Sequence, residues 1–267
     1  MVRTDDLTMP RGEPSLNRMT RRARRRYGPA MTEEPELPTY SPRMPPERIE
    51  RIRRWHERAY RGDSEREEQR VTYFGRSIVV PPDVQPLTPV SELLGGAVLD
   101  EVRAGDRVLD MGTGSGVNAV LAAAKAETVL AVDINPKALE AARDNARRNG
   151  VADRIEVRHS DVFSHVEGRF DLIVFDPPFR WFRPRTLFET AITDENYEAM
   201  TRFFAGVRDH LTEDGRMLVF FGTSGDLDYL TFLSEKAGFD RTVVAERSLT
   251  KDGWQVDYVT FRMTPRR

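Results

Sequence analysis

The sequence predicts an α/β protein built on a mostly parallel sheet with helices on both faces. Three observations carry that expectation. From Asp106 onward, short apolar strands alternate with amphipathic helices, the order that parallel crossover connections produce. The first strand of that series runs directly into a glycine turn and a helix, Val108-Leu109-Asp110-Met111-Gly112-Thr113-Gly114-Ser115-Gly116. The last two strands are joined by Lys251-Asp252-Gly253, a tight-hairpin signal that makes one strand antiparallel.

Residues 1–45 are proline-rich and lack hydrophobic periodicity, which predicts a disordered basic tail. Residues 46–100 form an N-terminal extension. Its first helix starts at Pro46, with Ile49, Ile52, Trp55, Ala59 and Tyr60 on one face. Val71–Val80 alternates and turns at Gly75, as a hairpin does, and the prolines from Pro81 to Pro89 keep the next segment extended. Ser91 is placed to cap the following helix. The main domain, 101–267, is expected to hold strands at Arg107–Met111, Thr128–Ile134, Arg154–Ser160, Phe170–Phe175, Arg216–Phe221, Thr242–Ser248 and Gln255–Arg262. Helices fall between them at Val117–Ala126, Pro136–Asn149, Asn196–Leu211 and Leu227–Ala237.

Composition narrows the chemistry. With no cysteine among 267 residues, a disulfide scaffold, a thiolate metal site and a cysteine nucleophile are excluded, and four scattered histidines give no ligand spacing, so no metal is expected. No apolar run reaches the ~20 residues of a membrane span, and the N-terminus has no apolar signal region, so a soluble cytoplasmic protein is expected. Charge is unevenly placed: residues 1–54 carry a net +5 and the remainder a net −7, within a whole-chain net charge of −2. An acidic body is a poor trap for a polyanion, although the Arg21–Arg26 cluster in the tail can supply phosphate contacts.

The glycine turn offers close backbone approach and free N–H groups at a helix start, so a nucleotide-like ligand belongs there. Its Gly-x-Gly-x-Gly spacing, with Val117 next, is neither the dinucleotide fingerprint nor a phosphate-binding loop. Three further acids follow at successive strand ends: Asp133, Asp161, and Asp176 within Asp176-Pro177-Pro178-Phe179.

This set resembles the class I S-adenosylmethionine-dependent methyltransferases from about Val71 to Met263. Asp-Pro-Pro-Phe is similar to the (Asp/Asn)-Pro-Pro-(Tyr/Phe) motif of those that methylate planar nitrogens, the release-factor glutamine, small-domain and nucleobase amino enzymes. The resemblance implies a Rossmann-like sheet of seven strands whose last strand is antiparallel, and S-adenosyl-L-methionine as cofactor. It assigns Asp110, Gly112, Thr113, Gly114 and Gly116 to the methionine half of that cofactor, Asp133 with Ile134 to its ribose, and Asp161 with Val162 to its adenine. Thr88 is placed near the cofactor. Asp176, Pro177, Pro178 and Phe179 become the catalytic residues.

The chemistry accounts for the motif. A planar nitrogen has a delocalised lone pair and is a weak nucleophile. Asp176 can accept one N–H and the Pro177 carbonyl another, holding the nitrogen in line with the methyl group. Proline fixes the turn and Phe179 stacks on the planar group. The chain departs from the glutamine branch at Asp176, where those enzymes carry Asn, at Phe179, where they carry Tyr, and in the glycine-free stretch Arg180–Glu189. Trp181 and Phe182 read either as an aromatic lip for substrate or as packing residues. Glu189, Asp194 and Glu195 read either as an acidic pocket with Asp176 or as a solvated helix start.

The expected activity is N-methylation of a guanidino or amide group on a small molecule or protein side chain. Two alternatives stand beside it: methylation of an adenine or guanine amino group in RNA or DNA, reached through the basic tail, and an inactive cofactor-binding partner subunit.

Overall fold

The structure, a computed structural model, describes residues 37–61, 66–251 and 253–267. Most of the expected tail, its Arg21–Arg26 cluster and Asp252 lie outside these. Residues 37–45 do not behave as a tail. Tyr40 packs edge-on against Tyr197 and Tyr229 at ring-centroid separations of 4.9 and 4.8 Å. Its hydroxyl donates to Asp226 Oδ2 at 3.0 Å, and the Arg43 N–H donates to the same oxygen at 2.7 Å.

Helix α1 (Pro46–Arg61) follows, with Ile52 and His56 buried against the body. Strands β1 (Gln69–Tyr73) and β2 (Arg76–Val80) form the expected hairpin. After α2 (Ser91–Glu101) the alternating series runs β3 (Arg107–Met111), α3 (Val117–Ala122), β4 (Thr128–Asp133), α4 (Pro136–Arg148), β5 (Ile155–His159) and β6 (Phe170–Phe175). It continues through α5 (Glu198–Gly206), β7 (Leu211–Gly222), α6 (Leu227–Lys236), β8 (Phe239–Lys251) and β9 (Trp254–Pro265). The seven-stranded sheet has the order β5-β4-β3-β6-β7-β9-β8, and β9 alone runs against its neighbours. Two apolar layers cover its faces, one under α2, α3, α4 and the hairpin, the other under α1, α5 and α6.

Three expectations are corrected. The helix over Asn196–Leu211 is broken: Asn196 and Tyr197 take φ +53° and +52°, a 3-10 turn precedes α5 and another follows it. Asp194 explains the restart, since its two carboxylate oxygens accept the Ala199 and Met200 N–H groups, both at 3.0 Å. Strand β7 begins at Leu211, with a bulge where its register against β6 shifts. Ser91 caps no helix; Val90 stands at that position, and the Ser91 hydroxyl instead accepts the Thr88 N–H at 3.0 Å.

Two polar anchors hold the elements around the glycine turn. Asn145, fully buried on α4, accepts the Val79 N–H at 3.0 Å and donates to the carbonyls of Val79 and Ser115 at 2.8 and 2.9 Å. It ties the hairpin to the glycine turn. Gln69 clamps the backbone of Leu87 from both sides, donating to its carbonyl at 3.0 Å and accepting its N–H at 2.8 Å.

Candidate active site

The C-terminal ends of β3, β4, β5 and β6 open into one cleft, where an α/β sheet of this winding binds its ligand. Gly112, Gly114 and Gly116 have φ +69°, +54° and +79°, a turn that side-chain-bearing residues adopt only under strain. They do different work. Among the described residues, no atom beyond its own chain neighbours lies within 4 Å of where a Gly112 Cβ would stand, so the backbone there borders open cleft. A Gly116 Cβ would meet the Ala142 Cα at 2.7 Å, so Gly116 lets α3 pack onto α4 and does not line the cleft.

Asp110 also lies beneath the turn. One of its oxygens accepts the Thr113 hydroxyl at 2.6 Å and the Ala119 N–H at 3.0 Å. Burial pushes its pKa up to about 6 against these hydrogen bonds. Asp133 ends β4 and lines the cleft; Gly114 N–H and Asn135 N–H donate to its two oxygens at 2.9 and 2.8 Å. Burial raises its pKa, and the hydrogen bonds pull the other way. Ile134 and Val162 give apolar lining nearby. Asp161 lines the cleft while its carboxylate holds Arg202 in a bidentate pair at 2.8 and 2.9 Å.

Asp176 follows β6 at the floor of the cleft. Among the described residues nothing donates a hydrogen bond to its carboxylate. Water reaches it from the cleft, while protein crowds it on the other sides. That crowding and the charge of Asp110 push its pKa up to about 7. Water in the open cleft relieves this shift, and a ligand filling the cleft enforces it.

A second cavity meets the first at Asp176. Pro177, Phe179, Phe220, Tyr258, Trp55 and Arg180 are among its walls. Phe179 lies 4.9 Å from the Phe221 ring and 5.5 Å from Phe220, and Phe220 stacks on Tyr258 at 6.2 Å. The Phe179 carbonyl accepts the Tyr197 hydroxyl at 2.5 Å. Thr88 lines this second cavity and not the first.

The residues expected to contact substrate after the motif lie elsewhere. Trp181 is buried against Phe182, Tyr40 and Tyr197 at 4.9, 5.9 and 6.1 Å, and Phe182 packs over His56 at 5.0 Å. Glu189 is buried and its carboxylate takes Arg185 at 2.7 Å. Asp194 caps α5 and Glu195 faces Arg183 at 3.8 Å on the surface. These three carboxylates line neither of the cavities that Asp176 lines. The chain turns away after Phe179 because Arg180 pairs with the 192–194 segment, its N–H donating to Ile192 and its carbonyl accepting from Asp194. Reading along the sequence missed Gln85, Phe220 and Tyr258 as cavity lining. Only the neighbouring of β7 and β9 beside β6, a topological fact, brings the last two there.

The profile of the methyltransferase small domain family matches residues 89–249, well over half of the chain. The chain belongs to that family. It is similar to the release factor glutamine methyltransferase of Cereibacter sphaeroides, 34% identical over 167 residues that cover 57% of this chain and 59% of that protein. It is also similar to the ribosomal protein uL3 glutamine methyltransferase of Bradyrhizobium diazoefficiens, 31% identical over 49% of this chain and 46% of that one. The ribosomal protein L11 methyltransferase of Pelotomaculum thermopropionicum is 53% identical over 74 residues, 27% of this chain and 24% of that one. This chain thus spans less than two thirds of the length of these relatives. Among solved structures, the M. jannaschii tRNA m1G37 methyltransferase superposes with TM-score 0.58 at 20% identity, over 76% of this chain and 58% of that one. The L11 methylase of Lactobacillus delbrueckii subsp. bulgaricus does so with TM-score 0.53 at 20% identity, over 70% of this chain and 84% of that one. These structures share the fold.

The cofactor of this family is S-adenosylmethionine, and the first cavity has the parts for it. It offers open backbone at Gly112, a carboxylate at Asp133 for a ribose diol, and apolar faces at Ile134 and Val162. Among the described residues no helix is long and apolar enough to cross a membrane.

Proposed function

We propose that this chain methylates the nitrogen of a carboxamide, of the kind carried by a protein glutamine side chain, using S-adenosylmethionine. The observation that carries the reading is the unpartnered Asp176 carboxylate at the meeting of two cavities, one suited to the cofactor and one to the acceptor. Two relatives named for glutamine methylation support the substrate class. Glu189, Asp194 and Glu195 are engaged by Arg185, the α5 backbone and Arg183, which takes away their part in the argument for a cationic guanidinium.

Bound cofactor supplies an electrophilic sulfonium methyl group. The chain does the rest. Gly112, Thr113, Gly114 and Asp133 hold the cofactor, with Ile134, Asp161 and Val162 around its base, while Asp110 and Gly116 shape the turn from beneath. Asp176 accepts one amide N–H and the Pro177 carbonyl the other, which fixes the nitrogen at roughly 3–3.5 Å from the carbon it attacks. As the N–C bond forms and the C–S pair returns to sulfur, the nitrogen loses a proton. Asp176, with a pKa near 7, is suited to take it. Phe179, Phe220 and Tyr258 give the planar amide an apolar, water-poor wall.

The same aromatic walls suit a flat nucleobase, and one assay separates the readings. The full chain is incubated with methyl-labelled S-adenosylmethionine and a cell extract. The expected result is label in macromolecules that protease releases and nuclease does not, and that acid hydrolysis frees as methylamine, as an N-methyl amide requires. Label released by nuclease, or found only in the small-molecule fraction, overturns the reading.

A further inference from the structure

Residues 81–90 cross the junction of the two cavities as a strap pinned on both sides of Gln85. On one side the Asn135 side chain donates to the Asp83 carbonyl at 3.0 Å, and the Val84 N–H closes a turn onto Pro81 at 3.1 Å. On the other, Gln69 clamps Leu87 and the Thr88 N–H bonds to Ser91. Asn135 adjoins Asp133, so the strap is braced against the cofactor side of the site. Gln85 is half-buried and lines both cavities, as Asp176 does. Among the described residues its carboxamide, like the Asp176 carboxylate, has no hydrogen-bond partner.

We propose that Gln85 is a specificity-determining residue that donates a hydrogen bond to the carbonyl oxygen of the acceptor amide while Asp176 accepts from its nitrogen. The inference rests on the carboxamide reading above. A primary amide presents a donor beside an acceptor, so a site that recognises it must present the complementary pair. Asp176 as a carboxylate supplies only acceptors, and the Gln85 amide supplies two N–H donors. The donor also serves the chemistry. As the N–H proton passes to Asp176 and the N–C bond forms, negative charge shifts toward the amide oxygen. A fixed donor stabilises that charge where it develops. The charges balance: a neutral amide, a sulfonium and a carboxylate give an N-methyl amide, a thioether and a carboxylic acid. A guanidinium, with donors only, gains nothing from the Gln85 N–H.

The test uses the full chain, a short peptide with one internal glutamine, and free adenosine as the competing probe. Gln85→Met keeps size and removes the donor; Gln85→Glu keeps shape and offers only acceptors. Both are expected to lower kcat/KM on the glutamine peptide by about 100-fold, mostly in kcat, as loss of one charge-stabilising donor does. Cofactor affinity by calorimetry is expected to stay within about threefold of the parent. Turnover of the peptide by the parent chain with undiminished kcat/KM in Gln85→Met overturns this inference and leaves the carboxamide reading standing. No turnover of the peptide by the parent chain, with methylation of adenosine, overturns both.

Discussion

Replacing Gly116 and Gly112 by alanine, one at a time, separates two functions of the glycine turn. Both residues sit at positive φ, +79° and +69°, so each alanine takes on about 1–2 kcal/mol of backbone strain. Each also narrows the unfolded ensemble by the same amount, worth about 0.4–1 kcal/mol in the other direction. Only the Gly116 substitution adds a collision, with Ala142 Cα at 2.7 Å and Cβ at 2.8 Å, and neither atom is the free end of a flexible side chain. Overpacking of that kind costs about 1–3 kcal/mol. The expected loss is therefore about 1 kcal/mol for Gly112→Ala and about 2–4 kcal/mol for Gly116→Ala. At about 2–4 °C per kcal/mol for a domain of this size, Tm falls by roughly 2–4 °C and roughly 4–16 °C. Binding should rank the other way, because the Gly112 methyl projects into space the cofactor would fill. Circular dichroism melts and calorimetric titration with S-adenosylmethionine read both quantities. Equal falls in Tm for the two variants would refute the packing role of Gly116 and the division of labour drawn from it.

Three other outcomes are expected. If Asp176 must be ionised, kcat at saturating acceptor rises about tenfold per pH unit up to its pKa near 7 and then levels, while Asp176→Asn flattens that limb; a flat parent kcat profile from pH 5 to 8 counts against it as proton acceptor. Asp110 has its folded-state pKa raised to about 6, so the folded chain binds the extra proton and stability is lost as pH rises from about 4 to 6, by about 3 kcal/mol. Urea midpoints of the parent and Asp110→Asn should accordingly diverge across that interval in favour of Asn, and parallel curves would contradict the assignment. Asn145→Ala leaves the Val79 and Ser115 groups without their buried partner at a cost of about 3 kcal/mol, and hydrogen exchange at the Val79 amide should quicken with it.

What could be read from the sequence was local. The Val108–Gly116 turn, Asp133 and the Asp176 tetrapeptide each announce themselves within a few residues, because strand, turn and charged terminus are contiguous. The lining of the second cavity was legible only at Thr88 and in the tetrapeptide. Gln85, Phe220 and Tyr258 come from a strap and two strands, and the sheet order brings the last two together. Trp181, Phe182 and Glu189 were drawn to the site by adjacency to the motif. The chain's turn after Phe179 carries them instead into contacts with Tyr40, His56 and Arg185. The broken helix before α5 was hidden for a related reason: its apolar spacing is continuous, and Asp194 interrupts it by hydrogen bonding rather than by a proline or glycine.

The Tyr197 hydroxyl joins two backbones, donating to the Phe179 carbonyl and accepting the Asp226 N–H at 2.9 Å, while Asp226 in turn receives Tyr40 and Arg43. The end of the tetrapeptide is thereby braced by residues 40–43, which precede the 89–249 region held in common with the family. The position of the tetrapeptide is set here by a segment that lies before the matched region. A change at Tyr40 or Arg43 therefore reaches the Phe179 backbone through Asp226 and Tyr197 without altering the tetrapeptide itself.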